Sequence, residues 1–99
     1  MINSDGSFTI LPFSMGTEKE AALKPLEEAA EAFGAWQEYK MCPTDAAREH
    51  VYYECCDTIQ AAANLMSRIG ATERDFMRAF DDVELNNSAR GRYDGQGND

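Results

Sequence analysis

The chain has 99 residues and a mass of 11.0 kDa, enough for one small domain and too little for a second core. Nine Lys and Arg stand against 18 Asp and Glu, a formal charge of −9 with a sequence pI near 4.4, so the basic footprint that displaces counterions from nucleic-acid phosphates is missing and no nucleic-acid partner is expected. Hydrophobic residues make up 43%, too many for a disordered acidic tail. No run of about 18 apolar residues is present to cross a membrane, and no basic segment leads into an apolar one at the N-terminus. The expectation is a cytoplasmic globular protein without a membrane partner.

Residues 1–16 place Phe8, Ile10, Leu11 and Phe13 among Ser, Gly and Pro, which predicts an extended arm or loop rather than a helix. Thr17-Glu18-Lys19-Glu20 then has the form of a capping box, in which each end satisfies a free backbone donor of the other. Strong helix formers follow to Lys40. Pro25 is read either as the first turn of the main helix or as a kink after a short lead-in. Cys42-Pro43 ends the segment, because the residue before proline avoids helical torsions. Thr44 and Asp45 offer the next N-cap for a helix reaching Ile69, with Gly70 suited to the position just past its end. Thr72-Glu73-Arg74-Asp75 opens a third helix to about Leu85, and residues 94–99 form a loose tail. The predicted class is therefore all-α: two long antiparallel helices and a shorter third, with 17–93 as the domain.

Three such helices do not bury all their apolar faces within one chain of this size, so a bundle completed by oligomerisation, a dimer or tetramer, is expected. Cys42, Cys55 and Cys56 make an odd count with two adjacent, unlike a disulfide framework or a zinc site, and are read as reduced packing residues.

On a helical wheel the first long helix sets Leu26, Ala29, Ala30 and Phe33 opposite a row of acids containing Glu27, Glu28, Glu31 and Glu38. The second sets Val51, Cys55, Ile59, Ala62, Met66 and Ile69 opposite a polar stripe of His50, Glu54, Asp57, Asn64 and Arg68, with small Ala47 and Ala61 among the acids. Glu28-x-x-Glu31 and Glu54-x-x-Asp57 each put two carboxylates one turn apart on one face, a mildly repulsive arrangement unless a cation or a proton intervenes. If the two helices are neighbours, four carboxylates converge, a donor set matched to a hard cation. A Glu-rich helix face is more often plain solvated surface, and it is the repetition on successive helices that raises the metal reading above that. His50, one turn before Glu54, is read first as a hydrogen-bond partner of that acid and second as a contact for a nucleotide. Trp36, Tyr39, Tyr52 and Tyr53 are read mainly as core, with Trp36 or Tyr53 the better platform for a base.

Glu27-Glu28-Ala29-Ala30-Glu31 followed, after a gap of 22 residues, by Glu54-Cys55-Cys56-Asp57 resembles the E-x-x-E…E-x-x-D signature of the MazG-like nucleoside triphosphate pyrophosphohydrolases. Asn87-Ser88-Ala89-Arg90-Gly91-Arg92 is similar to the Asn-x-x-Arg-Gly-Arg element that follows the last core helix in short members of that family. The resemblance covers roughly 23–93. It implies an enzyme that hydrolyses a (d)NTP to the monophosphate and pyrophosphate. Magnesium, with manganese as the second choice, would be held by Glu28, Glu31, Glu54 and Asp57, and the phosphates met by Asn87, Arg90 and Arg92. Asn64, on the acid stripe, is a contact candidate for sugar or base, and Glu27 or Glu38 a candidate proton acceptor. Cys55 and Cys56 stand where the family usually has small or apolar residues, and Asn86 where it often has Lys. The alternatives are a phosphoribosyl-ATP pyrophosphohydrolase-like enzyme, which shares a similar acidic pattern, and a non-enzymatic acidic helical oligomer that binds a protein partner.

Overall fold

A computed structural model of the chain describes residues 4–7 and 9–94; Phe8, the first three residues of the arm and positions 95–99 of the tail lie outside it. Among the described residues there are three helices and no strand: α1 (Glu18–Met41), α2 (Asp45–Arg68) and α3 (Glu73–Ala89). The arm from Thr9 to Met15 takes neither form, as its composition predicts.

Each helix starts where its capping residue puts it. The Thr17 hydroxyl accepts from the Glu20 N–H while the Glu20 carboxylate accepts from the Thr17 N–H, and Thr72 and Asp75 repeat this reciprocal pair at the start of α3. Thr44 caps α2 by accepting from Ala47 N–H. Pro25 lies inside α1, which starts at the capping box, so the proline does not stand in the first turn of the helix. The last residues of α2 and α3 are closed in the same way. Gly70 and Gly91, at φ +99° and +69°, turn the chain so that Ala71 N–H reaches Met66 C=O and Arg92 N–H reaches Asn87 C=O. α3 therefore runs four residues beyond the predicted Leu85, up to the turn that Gly91 makes.

The three-residue link Cys42–Thr44 folds α2 back on α1 as an antiparallel hairpin: Glu38 sits by His50, and Glu28 by Glu54 and Asp57. Their seam follows alternating spacings of four and three. Ala21, Pro25, Glu28, Ala32, Ala35 and Tyr39 of α1 are wholly or partly buried, as are Ala47, Val51, Glu54, Thr58, Ala61 and Leu65 of α2. Alanine at Ala35 and Ala61 (3% and 4% exposed) lets the helices approach closely. Apart from Val51, the apolar rows read from the wheel are not this seam. Leu26, Phe33, Trp36, Tyr52 and Ile59 are exposed, and α3 buries no residue, leaving Met77, Phe80 and Val83 open. Cys42, Cys55 and Cys56 are exposed as well, which corrects the expectation that they pack: neither Cys55 nor Cys56 falls on a seam position of α2.

Candidate metal centre

Halfway along the seam, Glu28, Glu54 and Asp57 come together, each offering a carboxylate oxygen within 4.8 Å of the others. The helical repeat explains the grouping. Glu28 occupies a seam position of α1, Glu54 a seam position of α2, and Asp57 follows one turn later on the same side. Glu28 and Glu54 are 8% and 9% exposed, which is rare for carboxylates.

In both buried acids one oxygen is held and the other is not. Glu28 Oε1 pairs with Lys24 Nζ at 3.4 Å, and Glu54 Oε1 accepts from His50 Nε2 at 3.1 Å. Glu28 Oε2 and Glu54 Oε2 are buried without a hydrogen-bond partner. Lys24 also pairs with Glu27 at 3.4 Å, and the Glu27 and Glu28 carboxylates together hold its ammonium above the usual lysine range. His50 Nδ1 lies 4.0 Å from Glu38, so the imidazole stands between an acid of each helix. This is the hydrogen-bonding position expected of it.

Glu31 is on the exposed side of α1, outside the three-carboxylate group. Glu27 and Glu38 are also exposed, engaged with Lys24 and His50. Asn64 is half-buried, and its Oδ1 accepts from Phe13 N–H and from Gln60 Nε2, both at 2.9 Å. Asn87, Arg90 and Arg92 form the end of α3: Arg90 is the capping residue, and Arg92 Nη1 reaches Asn87 Oδ1 at 3.4 Å. None of the three lines the cleft beside the acids. Trp36 stacks on Phe33 with ring centroids 5.7 Å apart and Tyr53 faces solvent, both away from the cleft lining.

That cleft, of about 340 Å³, is lined by Glu28 and Asp57, by Ala21, Lys24 and Ala61, and by arm residues 13–16. The contribution of the arm was not read from the sequence. Its only signal was the polar stripe of α2 continuing past the acids through Asn64 and Arg68, with no indication of which segment would cover it.

The chain matches no family model, no curated protein and no solved structure.

Proposed function

We propose that the chain is a magnesium-dependent nucleoside triphosphate pyrophosphohydrolase that converts a (d)NTP to the (d)NMP and pyrophosphate. The observation that carries this reading is the buried carboxylate group with two oxygens that no protein donor satisfies. A buried polar atom left unpaired costs roughly 1–3 kcal/mol, so a sequence keeps two of them in one place only where something else completes them. Three oxygen donors suit a hard divalent cation, magnesium or manganese, better than zinc. Glu28, Glu54 and Asp57 would hold it, and Glu31 stands one turn along α1 as the fourth acid of the signature. When bound, such an ion polarises phosphoryl oxygens and makes a water acidic enough to attack.

The protein groups have separate tasks. Lys24 and His50 each fix one oxygen of a ligating acid and so orient the other, as groups behind metal ligands commonly do. Arg90 and Arg92 carry the planar fork suited to a leaving pyrophosphate. They do not line the cleft of their own chain, and would meet a triphosphate across an interface between copies.

A homo-oligomer, dimer or tetramer, is part of the same reading. A folded monomer of 11.0 kDa is expected to expose about 5,600 Å², whereas this chain exposes 7976 Å². Its radius of gyration is 15.8 Å, against about 13 Å for a compact domain of this length. The surplus of about 2,400 Å² per chain is the size of an obligate interface. The open faces of α1, α2 and α3 supply the apolar residues such an interface needs.

Pyrophosphate release from the eight common NTPs and dNTPs, with and without magnesium, tests the proposal. Release from at least one of them that needs magnesium and is lost in Glu54→Gln is expected. Release from phosphoribosyl-ATP alone would instead favour the related enzyme, and an inert chain that binds no divalent ion would leave the acids as a partner-binding surface.

A further inference from the structure

The arm is attached to α2 by a regular set of polar contacts. Gln60 Nε2 donates to Leu11 C=O at 3.0 Å, Phe13 N–H donates to Asn64 Oδ1 at 2.9 Å, and Arg68 Nη1 donates to Ser14 Oγ. Gln60, Asn64 and Arg68 recur every four residues and so lie along one side of the helix, beginning one turn beyond Asp57. Attachment runs through backbone groups and one hydroxyl, while Phe13 and Met15 remain 54% and 74% exposed. An arm that served only to cover the hairpin would do the reverse, burying its large apolar side chains on α1 and α2. Here the chain holds the arm's backbone in place, and Phe13, half exposed, is part of the cleft lining.

The lining of that cleft joins two chemistries. Glu28 and Asp57 suit a cation and the phosphates it carries, while Phe13 and Met15 bring an aromatic ring and a thioether, groups that suit a flat ring, beside the Arg68 guanidinium that holds Ser14. Ala21 and Ala61 are in the same lining and extend no further than Cβ, which leaves room beside them. The cleft volume of about 340 Å³ is within the range of small-molecule sites.

We propose that the arm residues Phe13 to Gly16 form the nucleoside-facing wall of the site, and that Phe13 is the ring on which the base of the (d)NTP packs and by which bases are told apart. The inference rests on the pyrophosphohydrolase reading. Its test is calorimetric binding of the α,β-imido analogues of the four common dNTPs to the full chain with Mn²⁺ present, beside Mn²⁺ binding alone. Phe13→Ala and the double variant Gln60→Ala/Asn64→Ala, which frees the arm, are each expected to weaken analogue binding about tenfold and to flatten the preference among bases. Phe13→Tyr retains both, and Mn²⁺ affinity stays within about twofold of wild type in every variant. If the wild type binds Mn²⁺ and none of the analogues, the pyrophosphohydrolase reading falls and takes the inference with it. If it binds them, and Phe13→Ala and the double variant bind as tightly in the same order of preference, the inference alone is wrong. Loss of Mn²⁺ affinity in Phe13→Ala would also overturn it, since the arm would then be a support of the metal centre.

Discussion

Replacing Glu54 by Gln should change the stability of this protein in opposite directions with and without a divalent ion. In the ion-free protein Glu54 is 9% exposed, keeps one oxygen unpartnered and has two other carboxylates within 4.8 Å. At that separation and an effective dielectric constant of about 20, each like-charged pair costs ~3.5 kcal/mol before screening. Lys24 and His50 offset part of this, and the variant forfeits the charge-assisted bond to His50, so a net gain of about 1–2 kcal/mol is expected for Glu54→Gln. For a domain of this size that is a rise of about 5–15 °C in melting temperature. With ion at one hundred times its dissociation constant, wild type gains about 2.7 kcal/mol, or about 10–20 °C, and the variant little. Thermal unfolding followed by far-ultraviolet circular dichroism, in chelator and in excess magnesium at one fixed protein concentration, reads both effects. The reasoning fails if Glu54→Gln melts lower than wild type in chelator, or if magnesium raises both proteins equally.

Phe80→Glu, on the open face of α3, should convert the oligomer to monomer in sedimentation while leaving the α1–α2 hairpin and its Mn²⁺ binding intact; a wild type that sediments as a monomer would remove the basis for this. Thr17 and Thr72, chiefly through their backbone N–H groups, hold the Glu20 and Asp75 carboxyls below their ordinary values of 4.5 and 3.8. Because the folded-state values are the lower ones, this stabilisation is complete above the ordinary values and is lost as pH falls through the lowered ones. Thr72→Ala removes the hydroxyl half of the α3 pair and should therefore flatten the acid limb of the stability profile below about pH 4, read by acid titration of the helical signal. Gly91→Ala puts a side chain at φ +69°, and should cost about 1–2 kcal/mol and speed amide exchange at residues 91 and 92 without altering Mn²⁺ affinity.

Helix starts were the most legible feature of the sequence. Thr17, Thr44 and Thr72 are local signals whose partners lie three residues away, and each stands within a residue of where its helix begins. Pro25 was less so, because it costs one backbone hydrogen bond, and the capping box ahead of it with good helix formers on both sides outweighs that loss. The grouping of Glu28, Glu54 and Asp57 was readable from the repeat of acids on successive helices. The choice of seam was not: a wheel ranks faces by hydropathy, and by hydropathy Leu26 and Phe33 should have been inside. What the wheel undervalues is size. Alanines at 21, 32, 35, 47 and 61 permit a closer approach than bulky residues do, and this decides which faces meet within one chain. The arm's position on Gln60, Asn64 and Arg68 was illegible for a different reason, since it joins residues about fifty positions apart, two of the three contacts using backbone groups of the arm that any sequence would carry.

The use of two faces on each long helix links the carboxylate group to the proposed assembly. A hairpin selected only for stability would put its largest apolar residues in its own seam and its carboxylates in water. Here the seam holds Glu28 and Glu54, and Phe33, Trp36 and Ile59 remain outside with the apolar face of α3. Burying those acids costs free energy and burying alanine returns little, so the hairpin gains little from its own seam. Two sources can offset this deficit: an ion completing the carboxylates, and a second copy covering the open faces. They act on opposite sides of the same helices, so their stabilisations should be nearly additive, as for sites without shared partners. That separation is why Phe80→Glu is a useful counterpart to Glu54→Gln. One removes the interface and spares the acids, the other removes an acid and spares the interface. Only a protein in which both surfaces are needed for turnover would lose hydrolysis in each of them.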